Sequence, residues 1–133
     1  MTFDFEKMKV FRLSLTAIDR CIDIIGDMPR GNSGLADQLR RAISSVALNI
    51  SEGSGEFKPK EKARFYRMAL RSVSESCSIV QIGYRLKIVN KERYDSTYQL
   101  LTIIAKMLTK LVASMDQRNA SLPRIGIGIG SGD

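Results

Sequence analysis

Apolar residues recur at alternating steps of three and four along most of this chain. Met8, Phe11, Leu15, Ile18, Ile22 and Ile25 are spaced 3-4-3-4-3, the period of one helix face packed against other helices. Gly26 and Pro29 end that segment, and "RGNSG" from Arg30 reads as a turn. A second segment starts near Leu35, with Leu39, Ala42, Ile43, Val46 and Ile50 as its stripe. Gly53 is expected to stop it in a left-handed conformation. Pro59 suits the first position of a third helix, where its missing N–H costs nothing. Glu61 then lies near the positive end of the helix dipole. Phe65, Ala69, Val73, Ser76, Val80 and Tyr84 form the third apolar line. Asn90 is placed to cap a fourth helix, in which Tyr94, Tyr98, Leu101, Ala105, Leu108, Val112 and Met115 continue the period. Outside "IGIGIG" from Ile125, no segment alternates as a strand does.

Four amphipathic helices with short connections predict an all-α fold: an up-down-up-down four-helix bundle of left-handed sense. Residues 1–121 are read as the bundle domain and 122–133 as a flexible Gly-rich tail. The length of 133 residues suits one domain with its own core.

Composition removes several kinds of chemistry. Histidine is absent, which excludes Ser-His-Asp and Cys-His catalysis and imidazole-ligated zinc. Cys21 and Cys77 fall on or near apolar helix faces and are read as small core residues, outside any CxxC. No apolar run approaches the roughly 20 residues of a membrane helix. The N-terminal "MTFDFEKMKVFRL" is too charged for a signal peptide, so a cytoplasmic location is expected. Asp19 and Asp23 share a helix-1 face with Arg12 and Thr16, read as the solvent side. Glu52 opposes the dipole at the end of helix 2; a compensating cation, an arginine of helix 3, is expected. A structural ion pair at Glu52 or Glu75 is favoured over acid/base chemistry. No catalytic residue, metal or cofactor is expected.

Two helices carry more apolar surface than a monomeric bundle needs. Beside the main stripe of helix 1 lie Val10, Leu13, Ala17, Cys21 and Ile24, and beside that of helix 4 lie Leu100, Ile103, Ile104, Met107 and Leu111. Ile79, Ile82 and Leu86 lie off the third helix's line. Large exposed apolar faces mark interfaces. A homo-oligomer is expected, with Val10, Ala17, Ile24, Ile79, Ile82, Leu100, Ile104, Met107 and Leu111 at the contact.

Charge is concentrated in one place. The chain carries 21 bases against 14 acids, a net +7. Segment 58–93 holds ten bases and three acids (10 − 3 = +7), so the whole excess lies there. Lys60, Arg64, Arg67 and Arg71 follow i, i+4, i+7, i+11 and fall within about 60° of one another on a helical wheel. Arg85 continues the ridge, and Lys58 and Lys62 add charge at its start. The pattern points to a polyanion, RNA or DNA; a merely solvated helix face is the alternative. The preceding "NISEGSGEFKPKEKARF" puts glycines before lysines, yet "GSGEFKPK" lacks the Walker spacing and a preceding strand. It reads as a helix-to-helix corner.

"LADQLRRAISSVALNISEG" resembles the signature of the 23S rRNA intervening-sequence protein family, through Gln38, Arg41, Ala42, Ser45, Asn49, Ile50, Glu52 and Gly53. Ser51 stands where alanine is usual. "ALRSVSE" is similar to the family's third helix through Ala69, Ser72 and Glu75, with Arg71 where a glycine is common. The opening "FEKMKVFRLSLTAIDRCIDI" resembles its first helix, with Phe11 in place of tryptophan. The resemblance spans roughly residues 5–115. It implies a four-helix bundle assembled as a homopentamer. It also implies bacterial relatives encoded within insertions of large-subunit rRNA genes, and a distant one that assists a reverse transcriptase and its RNA. Two functions stay open: a non-enzymatic oligomer binding RNA or DNA through helix 3, and a scaffold docking a protein such as a reverse transcriptase.

Overall fold

The computed structural model describes residues 2–123. A short 3-10 turn, Asp4–Lys7, leads into four helices: α1 (Lys9–Asp27), α2 (Ser33–Ser54), α3 (Pro59–Arg85) and α4 (Lys91–Ala120). Among the described residues there is no strand. No helix among the described residues is long and apolar enough to cross a membrane. Most of the tail expected to be flexible, residues 124–133, lies outside the described residues.

The helices form a ring in chain order, with α4 returning to α1. Contacts between opposite ends establish the up-down alternation. Arg93 at the start of α4 reaches Asp27 (2.7 Å) and Asp23 (3.5 Å) at the end of α1. Lys62 at the start of α3 donates to Gly53 O (3.2 Å) and Ser54 O (3.0 Å) at the end of α2. Arg67 early in α3 meets Asp116 late in α4. Pro59 opens α3 as its sequence suggests. Asn90 caps α4 by accepting a hydrogen bond from Arg93 N at 2.8 Å.

The core of α2 follows its sequence stripe: Leu39, Ala42, Ile43, Val46 and Ile50 are all buried. In α1 the buried line is Val10, Ser14, Ala17, Cys21 and Ile24, and the larger stripe is turned partly outward, leaving Leu15 and Ile22 exposed. In α3, Ala63, Ala69, Ser72, Ser76 and Gly83 face inward beside Tyr66, Val73, Ile79 and Val80. Small side chains let helix backbones approach closely, so they occupy the tightest contacts. A hydroxyl chain ties α2 to α3. Ser72 Oγ donates to Ser45 Oγ (2.9 Å), Asn49 Nδ2 donates to the same oxygen (2.9 Å), and Ser76 Oγ donates to Ser72 O (2.8 Å).

Gly53 differs from its expected role. It is helical and buried, and α2 runs on to Ser54. A Cβ there would lie 2.7 Å from Tyr66 Cε1 and 3.1 Å from Phe65 Cβ, so close approach of α3 requires the glycine. The left-handed stop of a helix occurs at Lys87 instead, φ 65°, where Ile88 N and Val89 N both donate to Gly83 O. A left-handed residue with a side chain is strained by roughly 1 kcal/mol or more. Lys87→Gly is therefore expected to stabilise the fold by about 0.5–1 kcal/mol in chemical denaturation, offset in part by unfolded-chain entropy.

Burial pushes the Cys21 thiol up from 9.0 to about 12 and raises the Tyr66 phenol as well. A folded-state value above the unfolded one leaves stability intact below the unfolded value. Stability then falls as pH rises toward the folded value, by about 1.4 kcal/mol per pH unit for one group. Unfolding free energy is expected to drop between pH 9 and 11, and Cys21→Ala to make that decline shallower.

Candidate nucleic-acid interface

Lys58 precedes α3 in extended conformation, φ −85° and ψ 133°. From Pro59 the helix carries Lys60, Arg64, Arg67, Arg71 and Arg85, all exposed, while Ala69, Val73 and Val80 face the core. One side of α3 is thus bound to the bundle and the other presents cations. Lys60 to Arg85 spans roughly 38 Å at the helical rise of 1.5 Å per residue.

Two ridge cations have local partners. Arg64 Nε lies 3.1 Å from Glu61 Oε1, and its guanidinium sits 4.4 Å from the Phe65 ring centroid. Arg67 pairs with Asp116, an acid 49 residues away that the sequence reading did not count against the ridge. These pairs are about half exposed, the class worth about 0–1 kcal/mol, so phosphate can replace the carboxylate at little cost. Lys58, Lys60, Arg71 and Arg85 form no ion pair among the described residues. Lys62 does not belong to the ridge. Its ammonium covers the C-terminal carbonyls of α2, supplying the compensation near Glu52 that an arginine was expected to give.

The expected oligomer contact needs correction. Val10, Ala17, Ile24, Ile79, Leu100 and Ile104 are buried within the single chain, so they cannot form the outer contact expected of them. Where an apolar arc spans half a helix, periodicity does not say which part faces inward: in α1 it is the line with Ser14, Ala17 and Cys21, and in α4 Leu100 and Ile104 are buried together with Leu101 and Leu108 of the expected stripe. Ile82 is exposed, at 49%. Met107 and Leu111 are half-buried and, with Val10, Met8, Lys9, Lys110 and Ser114, line a cleft of about 580 Å³ between α1 and α4.

Sequence reading also missed an aromatic row. Tyr84 and Tyr94 stack at 4.6 Å between centroids and 7° between planes. Tyr98 follows Tyr94 at 5.8 Å and 47°. All three lie on the expected core lines, yet Tyr84 is 38% and Tyr98 42% exposed. The hydroxyl of tyrosine is the signal that could have placed them at the rim.

The profile of the 23S rRNA-intervening sequence protein family matches residues 6–110. None of the curated proteins compared matches the chain. Among solved structures, the fold is similar to that of a protein of unknown function from the S23 ribosomal protein family of Bacteroides thetaiotaomicron. The TM-score is 0.72 at 20% identity, over 77% of this chain and 97% of that one. Most of the bundle lies within the matched profile, and the chain belongs to the 23S rRNA-intervening sequence protein family.

Proposed function

We propose that this protein is a non-enzymatic bundle that binds RNA or DNA through the outward face of α3. The observation that carries the reading is the row of exposed cations, Lys60, Arg64, Arg67, Arg71 and Arg85, on the side of α3 opposite its core residues. Phosphate contacts of this kind supply affinity without sequence preference. The family's name, which refers to rRNA, agrees with it.

Lys60→Glu with Arg71→Glu reverses two cations that have no acidic partner among the described residues. Folding should be retained, since both side chains are exposed. Affinity for a structured RNA, read by fluorescence anisotropy, is expected to fall at least about tenfold, because two phosphate contacts become repulsions. Affinity unchanged by the double reversal would remove the α3 face as the site.

Leu15, Ile22 and Ile103 support a second role alongside the first: they are large, apolar and about half exposed. Such residues fit self-association, for which the family resemblance suggests a pentamer, or docking of a protein partner such as a reverse transcriptase. In a symmetric oligomer the basic face would be repeated, raising avidity for a long polyanion. Sedimentation at micromolar concentration giving only the monomer mass would exclude the oligomer.

A further inference from the structure

The α3–α4 turn places an aromatic surface at one end of the basic helix. Lys87 takes the left-handed conformation and the chain folds over Gly83. A Cβ on Gly83 would meet Val89 Cγ2 at 2.6 Å, so this tight return depends on the glycine. The return lays Tyr84, next to the end of α3, flat against Tyr94 on the first turns of α4. Tyr98, one turn further along α4, extends the row. A ring inside a core is covered on both faces. Here the two terminal rings, Tyr84 and Tyr98, remain substantially open to solvent.

Cations surround the row. Arg85 and Lys87 follow Tyr84 in the chain by one and three residues and are exposed. Lys91 bonds Asp95 at 2.8 Å. That bond, with the charge of Asp95, holds its proton more tightly than usual. Beside Tyr98 lies a slot of about 140 Å³ lined by Val73, Ser74, Cys77, Leu101, Thr102 and Ala105. Apolar walls with hydroxyls at hand suit a flat heterocycle. Thr102 Oγ1 donates to Tyr98 O at 2.9 Å, which leaves its oxygen able to accept a hydrogen bond from such a ring. The same α3–α4 seam runs back to Arg67, which contacts Asp116 on α4.

We propose that Tyr84, Tyr94 and Tyr98 form a stacking platform for the unpaired bases of a single-stranded nucleic acid whose phosphates lie along the α3 cations. The inference rests on the function proposed above and narrows its ligand. Double-stranded nucleic acid keeps its bases stacked on one another and offers none to the tyrosines. A single strand offers every base, and stacking on an aromatic side chain contributes about 1–3 kcal/mol per base. Exposed tyrosine rings beside basic side chains combine the two elements that binding to unpaired strands uses.

The test compares labelled oligothymidylate and oligouridylate with a duplex of equal length, by anisotropy, on the full chain. Both single strands should bind more tightly than the duplex; if only one does, the 2′-hydroxyl or the thymine methyl selects it and the platform still stands. Tyr84→Leu with Tyr98→Leu keeps apolar bulk and removes the rings. It is expected to weaken single-strand binding at least tenfold and leave duplex binding unchanged. Tyr84→Phe with Tyr98→Phe should bind within about twofold of the wild type, because stacking needs the ring and not the hydroxyl. The unmodified protein supplies an independent measurement, a photocrosslink from 5-iodouracil in the oligonucleotide, expected at Tyr84 or Tyr98. Crosslinks confined to other residues overturn the platform. So does a leucine pair that binds single strands normally while Lys60→Glu/Arg71→Glu does not, an outcome that leaves the broader function standing. A leucine pair that alters only the oligomeric mass would assign this face to contacts between copies. Absence of binding to any of the three ligands would remove both readings together.

Discussion

Ile104→Ala is expected to lower stability by about 2–5 kcal/mol, while Ile103→Ala, one residue earlier, changes it by about 0.5 kcal/mol or less. Both isoleucines sit on the broad apolar arc of α4, and the sequence alone assigned Ile104 to an intermolecular contact. In the structure Ile104 is 0% exposed and Ile103 48%. Truncating Ile104 removes packing on all sides and leaves a cavity lined by neighbours that only partly relax. Truncating Ile103 removes a side chain already half in water. Urea denaturation at low protein concentration separates the two, because any contribution of Ile103 to association is then minimised. Equal effects from the two substitutions would place the core on the wrong half of α4.

Gly53→Ala is expected to destabilise by about 1–2 kcal/mol, against the usual trend. Alanine in a helix interior ordinarily gains about 1 kcal/mol over glycine. At Gly53 the added methyl would enter space held by Tyr66 and Phe65. Tyr66 is buried and cannot swing clear, and overpacking of this sort costs about 1–3 kcal/mol. Gly26, in the last turn of α1, is the control: a methyl added there would have nothing within 4 Å. Gly26→Ala should be neutral or stabilising, and thermal denaturation of the two variants should shift in opposite directions.

These two sites also show what could be read from the chain unaided. The number of helices, the Pro59 start and the Asn90 cap follow from local chemistry, and the structure has them. The α2 stripe was readable because its apolar arc is narrow enough to have one inward solution. In α1 and α4 the arc is wide, and taking the 3-4 spaced line alone as core misplaced Val10, Ala17, Ile24, Leu100 and Ile104. Ser14, Ala17 and Cys21 in the buried line of α1 show that close helix contact there selects small side chains. The basic ridge was visible because its helical spacing is local. Asp116 and the Tyr84–Tyr94 stack were not, since each pairing joins residues on different helices. Gly53, Ser45, Asn49 and Ser72, among the residues through which the sequence resembles the family, prove to be packing and hydrogen-bonding residues between α2 and α3.

The salt dependence of single-stranded RNA binding tests the α3 face most directly. If Lys60, Arg64, Arg67, Arg71 and Arg85 each neutralise a phosphate, affinity should fall roughly a hundredfold between about 50 and 200 mM salt, and the logarithmic slope should become shallower by about 0.7 for each cation removed. Lys60→Glu/Arg71→Glu should therefore bind more weakly and along a visibly shallower line. An affinity that does not change with salt, or a variant that follows the wild-type line, would contradict the assignment.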